Sequence, residues 1–334
     1  MARPRTTLRP GTAASRTVLS AMVPPEYSIV VPILDERETL PELHHRLCRV
    51  MEQLDGSAEV VLVDDGSTDG SFDVMRKLHE ADDRVRVLRL SRNFGHQVAI
   101  TAGLDHARGN AVVIMDGDLQ DPPEVVPALA DKWRDGFDVV YAVRNEREGE
   151  SRVKLATANW FYRLLGRMSE VETPRDAGDF RLIDRRVVDA LRAMPEHHRY
   201  LRGMFAWVGY DQVGVRYTRE ARHAGRTKYP MRKMVAFATD GIVSFSTVPL
   251  RATLMLGFLM SVVAFVLAVF AVLAKVTGAY TVPGWASTTV GVALLGGVQL
   301  TVLGVIGEYI ARIHDEVKRR PLYLLRDQLG NQID

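Results

Sequence analysis

The sequence predicts an α/β domain with a mostly parallel sheet, followed by interfacial helices and two C-terminal transmembrane helices. Three observations support this prediction. From residue 27 onward, apolar runs of strand length alternate with segments of helical spacing, an order typical of parallel sheets. Acidic residues directly follow several of those strands. Near the end of the 334-residue chain, two long stretches carry no charge.

The first part of the domain alternates strand and helix regularly. Residues 28–32 form the first predicted strand, and the Thr-x-x-Glu spacing of Thr39 and Glu42 predicts a capping box that opens a helix to about residue 54. The following elements continue the alternation: a strand at 59–64, a turn at 65–70, a helix at 71–81, a strand at 84–90 and a helix at 96–107.

The second part is less regular. A buried strand is predicted at the apolar run 112–115, and the pair Pro122-Pro123 predicts the start of a helix that continues to about residue 135. Further segments follow in order: a strand at 138–143, a polar, arginine-rich loop plus helix at 144–180, and a return to the sheet at 180–183. Between 228 and 245, apolar and basic residues mix at helical spacing, which predicts an interfacial helix.

The strand at 112–115 runs directly into Asp116, Gly117 and Asp118. The carboxyl ends of parallel strands are where open α/β sheets bind ligands, and two carboxylates beside a glycine suit a hard divalent cation. Gln120 offers a third oxygen ligand. An isolated Asp-x-Asp also fits a polar turn that closes a core strand, so the pattern alone leaves both interpretations open.

Acidic pairs follow three strands that should be neighbours in the sheet: Asp35-Glu36, Asp64-Asp65 and Asp116/Asp118. Each pair alone fits a helix cap or a solvated turn. Three pairs at one sheet edge favour a pocket for a nucleoside diphosphate and its metal ion. The chain lacks Gly-x-Gly-x-x-Gly after the first strand and lacks a P-loop motif, which disfavours a dinucleotide dehydrogenase and a P-loop NTPase.

The uncharged stretches 252–274 and 286–307 are both long enough to cross a bilayer as helices. A buried core hairpin is the alternative. Basic residues precede the first stretch and follow the second, whereas the connection 275–285 carries one lysine, so we expect both soluble ends in the cytoplasm. The protein would then be an integral protein of the plasma membrane and contact membrane lipid.

Composition bears on the partners of the protein, its disulfides and its N-terminal segment. The formal net charge of +2 does not favour nucleic acid as a partner. Cys48 is the single cysteine, so an intramolecular disulfide is excluded. On its predicted helix, we interpret Cys48 as a small packing residue. Residues 1–25 contain four arginines and no acid, which predicts a disordered basic tail.

Several stretches together resemble a known family. They are Val-Val-Pro-Ile-Leu-Asp-Glu at 30–36, Val-Asp-Asp-Gly-Ser-Thr-Asp at 63–69, Leu-Ser-Arg-Asn-Phe-Gly-His-Gln at 90–97, Met-Asp-Gly-Asp-Leu-Gln-Asp-Pro-Pro at 115–123, Asp-Ala-Gly-Asp-Phe-Arg-Leu at 176–182, Gly-Arg-Thr-Lys-Tyr-Pro at 225–230 and Ile-Gly-Glu-Tyr-Ile-Ala-Arg-Ile at 306–313. The combination resembles the family 2 glycosyltransferases and, among them, the polyprenyl-phosphate glycosyltransferases. The similarity spans about residues 26–326.

The resemblance implies a GT-A fold, which is Rossmann-like, and a set of site residues. These are, by role, Pro32, Glu36, Asp64, Asp65 and Asp116 for the donor; Asp116, Asp118 and Gln120 for Mg²⁺ or Mn²⁺; Asp179, Asp118 and Arg181 for catalysis; and Arg144, Arg226 and Lys228 for the acceptor phosphate. Two residues depart from the usual pattern. Asp35 stands where relatives usually have Asn, and His96 where Lys is common, so we expect altered ribose contacts and the loss of a fixed charge near the donor.

The residues themselves leave two interpretations of the basic segment before the first uncharged stretch. Arg226 and Lys228 lie beside a glycine in a predicted turn, which fits a specific phosphate clamp. Arg232 and Lys233 fit non-specific attraction to anionic lipid head groups.

These inferences divide the chain as follows: a basic tail at 1–25, a GT-A domain at 26–225, an acceptor loop and interfacial helix at 226–250, two transmembrane helices at 251–310 and a cytoplasmic C-terminal tail at 311–334. The expected function is inverting transfer of a hexose, with glucose from UDP-glucose favoured, to polyprenyl (undecaprenyl) phosphate on the cytoplasmic face. The alternatives are transfer from GDP-mannose, a processive polysaccharide synthase and a non-catalytic membrane scaffold. The synthase is disfavoured because no Gln-x-x-Arg-Trp motif is present. A homo-oligomer is expected.

Overall fold

In the computed structural model, a single mixed sheet forms the centre of the α/β domain, and the structure describes residues 24–144, 177–218, 248–277 and 284–330. Within those residues, the sheet has the order β7-β5-β6-β4-β1-β2-β3-β8. Its strands are β1 (Tyr27–Ile33), β2 (Ala58–Asp64), β3 (Val85–Leu90), β4 (Ala111–Ile114), β5 (Val139–Arg144), β6 (Ala177–Asp184), β7 (Gln212–Tyr217) and β8 (Leu325–Leu329).

The predicted parallel core is confirmed in β4-β1-β2-β3, whose neighbouring strands are all parallel. The predicted return to the sheet at 180–183 is also confirmed, because β6 inserts between β4 and β5. β6 is antiparallel to both of them, so the sheet is mixed. Its register pairs Ile114 with Arg181, and continuing that register brings Asp179 level with Asp116. The direction of β6 therefore decides which residues meet at the carboxyl edge of the sheet.

Helices cover both faces of the sheet because its central strands are apolar on both sides. The helices are α1 (Leu40–Gln53), α2 (Ser71–Ala81), α3 (His96–His106), α4 (Val126–Arg134), α5 (Arg185–Arg192), α6 (Leu201–Trp207), α7 (Val248–Val276) and α8 (Trp285–Lys318). On β1, Ile29 and Val31 pack with α1, α2 and α4, whereas Val30 packs with α3, α5 and α6. The sheet is thus the middle layer of a three-layer domain.

The predicted capping box at the start of α1 is wrong. The Thr39 hydroxyl donates to Glu36 Oε2 at 2.9 Å, and its side chain makes no capping hydrogen bond to the helix. The backbone N–H groups of Thr39 and Leu40 both donate to the carbonyl of Glu36, which forms a turn before the helix. Thr39 consequently already has helical backbone angles, whereas a capping residue of this kind is usually extended.

The expectation of a C-terminal tail at 311–334 is also wrong. Helix α8 continues to Lys318, and β8 then adds an antiparallel edge strand beside β3. The Ser91 N–H donates to the Leu324 carbonyl at 2.8 Å, and Arg89 Nη1 lies 3.3 Å from Asp327 Oδ2. A short strand with charged residues is typical of a protected sheet edge. For this reason the sequence of β8 did not predict a strand.

Helices α7 and α8 are long and apolar enough to cross a membrane. The segments that meet this test are Val248–Phe270 and Leu294–Lys318, and neither is buried in the described structure. Large apolar side chains such as Leu254 and Phe258 are more than 70% exposed. A core hairpin would bury one apolar face, so this exposure favours membrane contact over the hairpin alternative.

Candidate functional site

The loop after β4 holds its carboxylates in a constrained backbone. A Cβ atom at Gly117 would lie 2.6 Å from Ile33 Cδ1 and 3.4 Å from the Pro32 carbonyl oxygen, so a larger residue would require the Ile33 side chain to shift. Leu119 adopts a left-handed conformation with φ of 58°, which is unfavourable for leucine, and its buried side chain anchors it. Asp118 Oδ1 accepts a hydrogen bond from the Gln120 N–H at 3.1 Å. The loop thus presents Asp116 and Asp118 on either side of a tight turn.

The electrostatics around Asp116 suit a divalent cation. Burial raises the pKa of Asp116 to about 6, and the carboxylates of Asp179, Asp121 and Asp118 contribute to the rise. Such crowding disfavours the charged form unless a cation is present. Asp116, Asp118 and Gln120 supply only oxygen donors, the ligand type that Mg²⁺ and Mn²⁺ prefer. The donor set therefore fits the expected metal, whose binding here stays a prediction.

His96 lies between two of these carboxylates at the start of α3. Its Nε2 is 3.4 Å from Asp116 Oδ1 and 3.5 Å from Asp179 Oδ2. Burial opposes protonation, but the hydrogen bond to Asp179 and the charge of Asp116 outweigh it and raise the pKa of His96 to about 9. This rise in pKa favours the imidazolium form of His96, so the side chain can place a positive charge between the two carboxylates. The expected loss of a fixed charge at this position stays a prediction.

Asp179, on β6, is held by two cations. Arg202 of α6 donates to it from Nε at 2.8 Å and from Nη2 at 3.3 Å, and His96 faces the other side. Burial would raise the pKa of Asp179, but these two partners hold it well below its usual range. Asp116, His96, Asp179 and Arg202 thus form a row in which anions and cations alternate. His96, Asp179 and Arg202 also line a cavity of 420 Å³.

Arg181 is buried two residues further along β6. Its guanidinium donates to the Gly178 carbonyl at 2.7 Å and lies 4.2 Å from the centroid of the Phe205 ring. Burial lowers the pKa of Arg181 to about 10, so it remains charged at neutral pH. Because a backbone carbonyl and an aromatic ring surround it, Arg181 supports the strand beneath Asp179. Its predicted catalytic assistance is untested.

Arg144, at the end of β5, reaches the same acidic group from another side. Its Nε donates to the Tyr217 hydroxyl at 3.2 Å, and that hydroxyl donates to Asp121 Oδ1 at 2.5 Å. Burial and the neighbouring Asp121 raise the pKa of Tyr217 to about 12, so it remains a donor. This chain connects Arg144 to the loop after β4, a position compatible with its predicted role at the acceptor phosphate.

The predicted donor residues Asp64 and Asp65, at the end of β2, accept hydrogen bonds from backbone N–H groups of two different loops. Asp64 is fully buried, which raises its pKa, and its Oδ1 accepts from the Ser67 N–H at 2.9 Å. Asp65 accepts from the backbone N–H groups of Phe94 at 2.7 Å and Gly95 at 3.0 Å. Since His96 follows directly, Asp65 positions the segment that carries His96. Its predicted contact with the donor stays a prediction.

Pro32 and Glu36 lie in β1 and the loop after it. Asp35, in the same loop, bonds to the loop after β2. Pro32 is buried in β1, opposite Val63, and Glu36 accepts from Thr39 as described above. Asp35 has a positive φ of 54° and accepts from the Thr68 N–H at 2.8 Å. The expected effect of Asp35 on ribose contacts is untested.

Sequence reasoning missed Arg202, Asp121 and Tyr217 as members of the site. Asp121 could have been found, because it continues the acidic run after β4. Arg202 and Tyr217 stand in segments without a recognisable motif, and only the fold brings them to Asp179 and Asp121. Arg226, Lys228 and the interfacial helix predicted at 228–245 lie outside the described residues.

Comparison with known proteins assigns the domain. The profile of glycosyl transferase family 2 matches residues 28–192. A glycosyltransferase from Synechocystis is 47% identical over 91% of this chain and 96% of its own length. A bactoprenol glucosyl transferase from Shigella phage SfII is 39% identical over 90% of this chain and 97% of its own length. A solved mannosyltransferase from Pyrobaculum calidifontis, in complex with GDP-Man and Mn²⁺, is 18% identical, covers 86% of this chain and 88% of its own, and has a TM-score of 0.46.

Proposed function

Because the chain belongs to glycosyl transferase family 2, we propose that it is a membrane-anchored inverting enzyme that moves a hexose from a nucleotide sugar to polyprenyl phosphate. The observation that carries this proposal is the acidic loop after β4, with Asp116 and Asp118, next to the row His96, Asp179 and Arg202. The bactoprenol glucosyl transferases among the relatives support a polyprenyl acceptor. The exposed apolar helices α7 and α8 suit an enzyme whose acceptor lies in a bilayer.

The proposed reaction is a single displacement at the anomeric carbon. A metal ion held by Asp116, Asp118 and Gln120 would neutralise the donor diphosphate and the departing nucleoside diphosphate. An oxygen of the acceptor phosphate forms the new bond to the anomeric carbon as the bond to the donor phosphate breaks. The electron pair leaves with the nucleoside diphosphate, and the anomeric configuration inverts. His96 and Arg202 are the described cations nearest to Asp179, and both offset the negative charge that gathers there.

Glucose from UDP-glucose is the donor that we favour, because of the glucosyl transferases among the relatives. Transfer from GDP-mannose is the second candidate, since a carboxylate pocket of this type accepts either nucleoside. A processive synthase is disfavoured by the missing Gln-x-x-Arg-Trp motif. A non-catalytic scaffold is disfavoured because Asp116, Asp118 and Asp179 are all present.

We expect the purified protein, given undecaprenyl phosphate, Mn²⁺ and a panel of nucleotide sugars, to form a hexosyl-phospholipid with UDP-glucose. Mass spectrometry of the lipid fraction identifies the product. The same incubation with dephosphorylated undecaprenol is the control, because the reaction needs the phosphate as nucleophile. A product only with GDP-mannose would support the second candidate, and no product with any donor would contradict the proposed function.

We also propose that the catalytic domain and both termini are cytoplasmic, on the basis of the basic residues that flank α7 and α8. The test uses a Cys48→Ser background, which removes the single native thiol. A membrane-impermeant maleimide should label Thr281→Cys, in the short connection between the helices, from outside intact cells. Glu80→Cys, at an exposed position of α2, should react only after lysis. Labelling of Glu80→Cys in intact cells would reverse the topology. A homo-oligomeric assembly stays a prediction.

A further inference from the structure

His44, Cys48 and Asp82 form a cluster of three potential metal ligands away from the acidic loop. His44 and Cys48 lie one turn apart on α1, and Asp82 follows the last residue of α2. Cys48 Sγ lies 3.5 Å from His44 Nε2 and 3.7 Å from Asp82 Oδ2, and His44 Nε2 lies 3.5 Å from Asp82 Oδ2. The His44 and Asp82 side chains are 21% and 13% exposed, so the cluster is largely shielded but reachable from solvent.

The three separations match one face of a tetrahedral zinc site. With zinc–ligand distances of about 2.0–2.3 Å and tetrahedral angles, the ligand atoms lie roughly 3.4–3.6 Å from one another. All three observed separations lie within about 0.1 Å of that range. A thiolate, an imidazole and a carboxylate are also donors that Zn²⁺ accepts together, whereas Mg²⁺ would not favour the sulfur or the nitrogen.

Hydrogen bonds account for the two contacts of the Cys48 sulfur but not for the third separation in the cluster, between His44 and Asp82. An imidazole N–H that donates to a carboxylate approaches within about 2.7–3.2 Å, and the 3.5 Å between His44 Nε2 and Asp82 Oδ2 is longer. The His44 imidazole and the Asp82 carboxylate are therefore neighbours that no direct hydrogen bond joins. An ion at the centre would satisfy both atoms and the Cys48 sulfur at once.

Arg84 is a charged group that contacts two members of the cluster. Its Nη2 donates to Asp82 Oδ2 at 2.7 Å and lies 3.7 Å from Cys48 Sγ. The Arg84 hydrogen bond lowers the pKa of Asp82 to about 2, so the carboxylate is ionised. Binding of an ion at Oδ2 requires the guanidinium, which is 43% exposed, to release this oxygen and keep only its hydrogen bond from Nε to Asp82 Oδ1. Arg84 would then orient the carboxylate, as partners of metal ligands commonly do.

We propose that His44, Cys48 and Asp82 bind a Zn²⁺ ion, with water as the fourth ligand. Binding forms a zinc–sulfur bond and releases the Cys48 thiol proton to solvent. Asp82 precedes β3, so the site lies at the amino edge of the sheet, opposite the loop after β4. The ion would fasten α1 to the connection between α2 and β3. Its role is stabilisation of the domain, separate from sugar transfer.

The test is a Co²⁺ titration of the tag-free, full-length protein in detergent, after removal of metals with a chelator. Co²⁺ takes tetrahedral zinc sites and shows a thiolate charge-transfer band, which can arise only from Cys48 because the chain has no other cysteine. We expect one equivalent of Co²⁺ to give the band and one equivalent of Zn²⁺ to abolish it. Asp118→Asn should keep the band, which separates this site from the acidic loop.

His44→Ala and His45→Ala are the matched pair of variants. His45 is the exposed neighbour of His44 on α1, and alanine favours the helix in both variants. His44→Ala should weaken Co²⁺ binding by about 100-fold or more, beyond the usual effect of losing only an outer partner of a metal ligand. His45→Ala should titrate like the unaltered protein. Zn²⁺ should raise the Tm of the unaltered protein and of His45→Ala, but not that of His44→Ala.

Asp82→Asn provides a second variant whose loss of binding does not depend on α1. The absence of a thiolate band at equimolar Co²⁺ would overturn the proposal. Equal affinities of His44→Ala and His45→Ala would overturn it as well, since the imidazole would then not be a ligand.

Discussion

Asp118→Asn is expected to lower sugar transfer by about 100-fold or more, because it removes a charged ligand from the proposed metal site. The Asp118→Asn variant should still fold. Asp118 is one of the carboxylates that raise the pKa of Asp116, so the metal-free variant loses a repulsion and should not have a lower Tm. The measurements are initial rates with UDP-glucose and undecaprenyl phosphate, and thermal unfolding without metal.

Two controls make this result specific. Asp131→Asn changes an exposed aspartate on α4 and should leave the rate unchanged. EDTA should abolish activity of the unaltered enzyme, and added Mn²⁺ should restore it. Full activity in the chelator, or an Asp118→Asn enzyme as fast as Asp131→Asn, would refute metal dependence at this loop.

The parts of the fold that the sequence predicted are those with strong local patterns. The apolar runs of β1 to β5 and the helices between them need only their own residues to be recognised. β8 was missed because an edge strand is polar and pairs through its backbone. The capping box at Thr39 was wrong because a turn formed by Glu36 competed for the same residue.

The site residues likewise fall into those that a local sequence pattern predicted and those that only the fold brings together. The positions of Asp116 and Asp118 followed from a strand that ends in acids, which is local information. The raised pKa of His96 could not be predicted, because the hydrogen bond to Asp179, which β6 brings from far along the chain, contributes most to the rise. The role of Arg202 could not be predicted either, because its contact with Asp179 also depends on the fold. What the sequence lacked was the direction of β6 and the position of α6.

This alternating row of charges bears on how Asp179 acts. A carboxylate whose pKa is held well below its usual range by Arg202 and His96 is a weak base. The acceptor is a phosphate monoester whose second pKa is about 6, so near neutral pH it is mostly ionised and scarcely needs a base. These two points favour Asp179 as an orienting group over Asp179 as a proton acceptor.

Asp179→Asn is accordingly expected to lower kcat by about two or more orders of magnitude, with the KM for the donor little changed. The amide keeps the size of the side chain but loses its charge, so Arg202 and His96 are no longer held by an anion. Arg202→Gln, which removes one of the two cationic partners of Asp179, should show the same pattern in milder form. The measurements are kcat and the donor KM for both variants, each from pH 5.5 to 8.5.

The pH profile distinguishes the two roles of Asp179. If Asp179 orients the acceptor, the ratio of the unaltered to the Asp179→Asn kcat should not fall as the phosphate passes through its second ionisation at about pH 6. It should stay level or grow, because Asp179→Asn also removes the hydrogen bond that raises the pKa of His96, so the variant loses that positive charge as the pH rises. If Asp179 is a base for the monoanion, the ratio should shrink above that pH, because the dianion attacks without help. We expect a ratio that does not fall with rising pH. Normal turnover by Asp179→Asn, or a loss confined to donor KM, would show that Asp179 is a structural or donor-binding residue and would remove it from the catalytic centre.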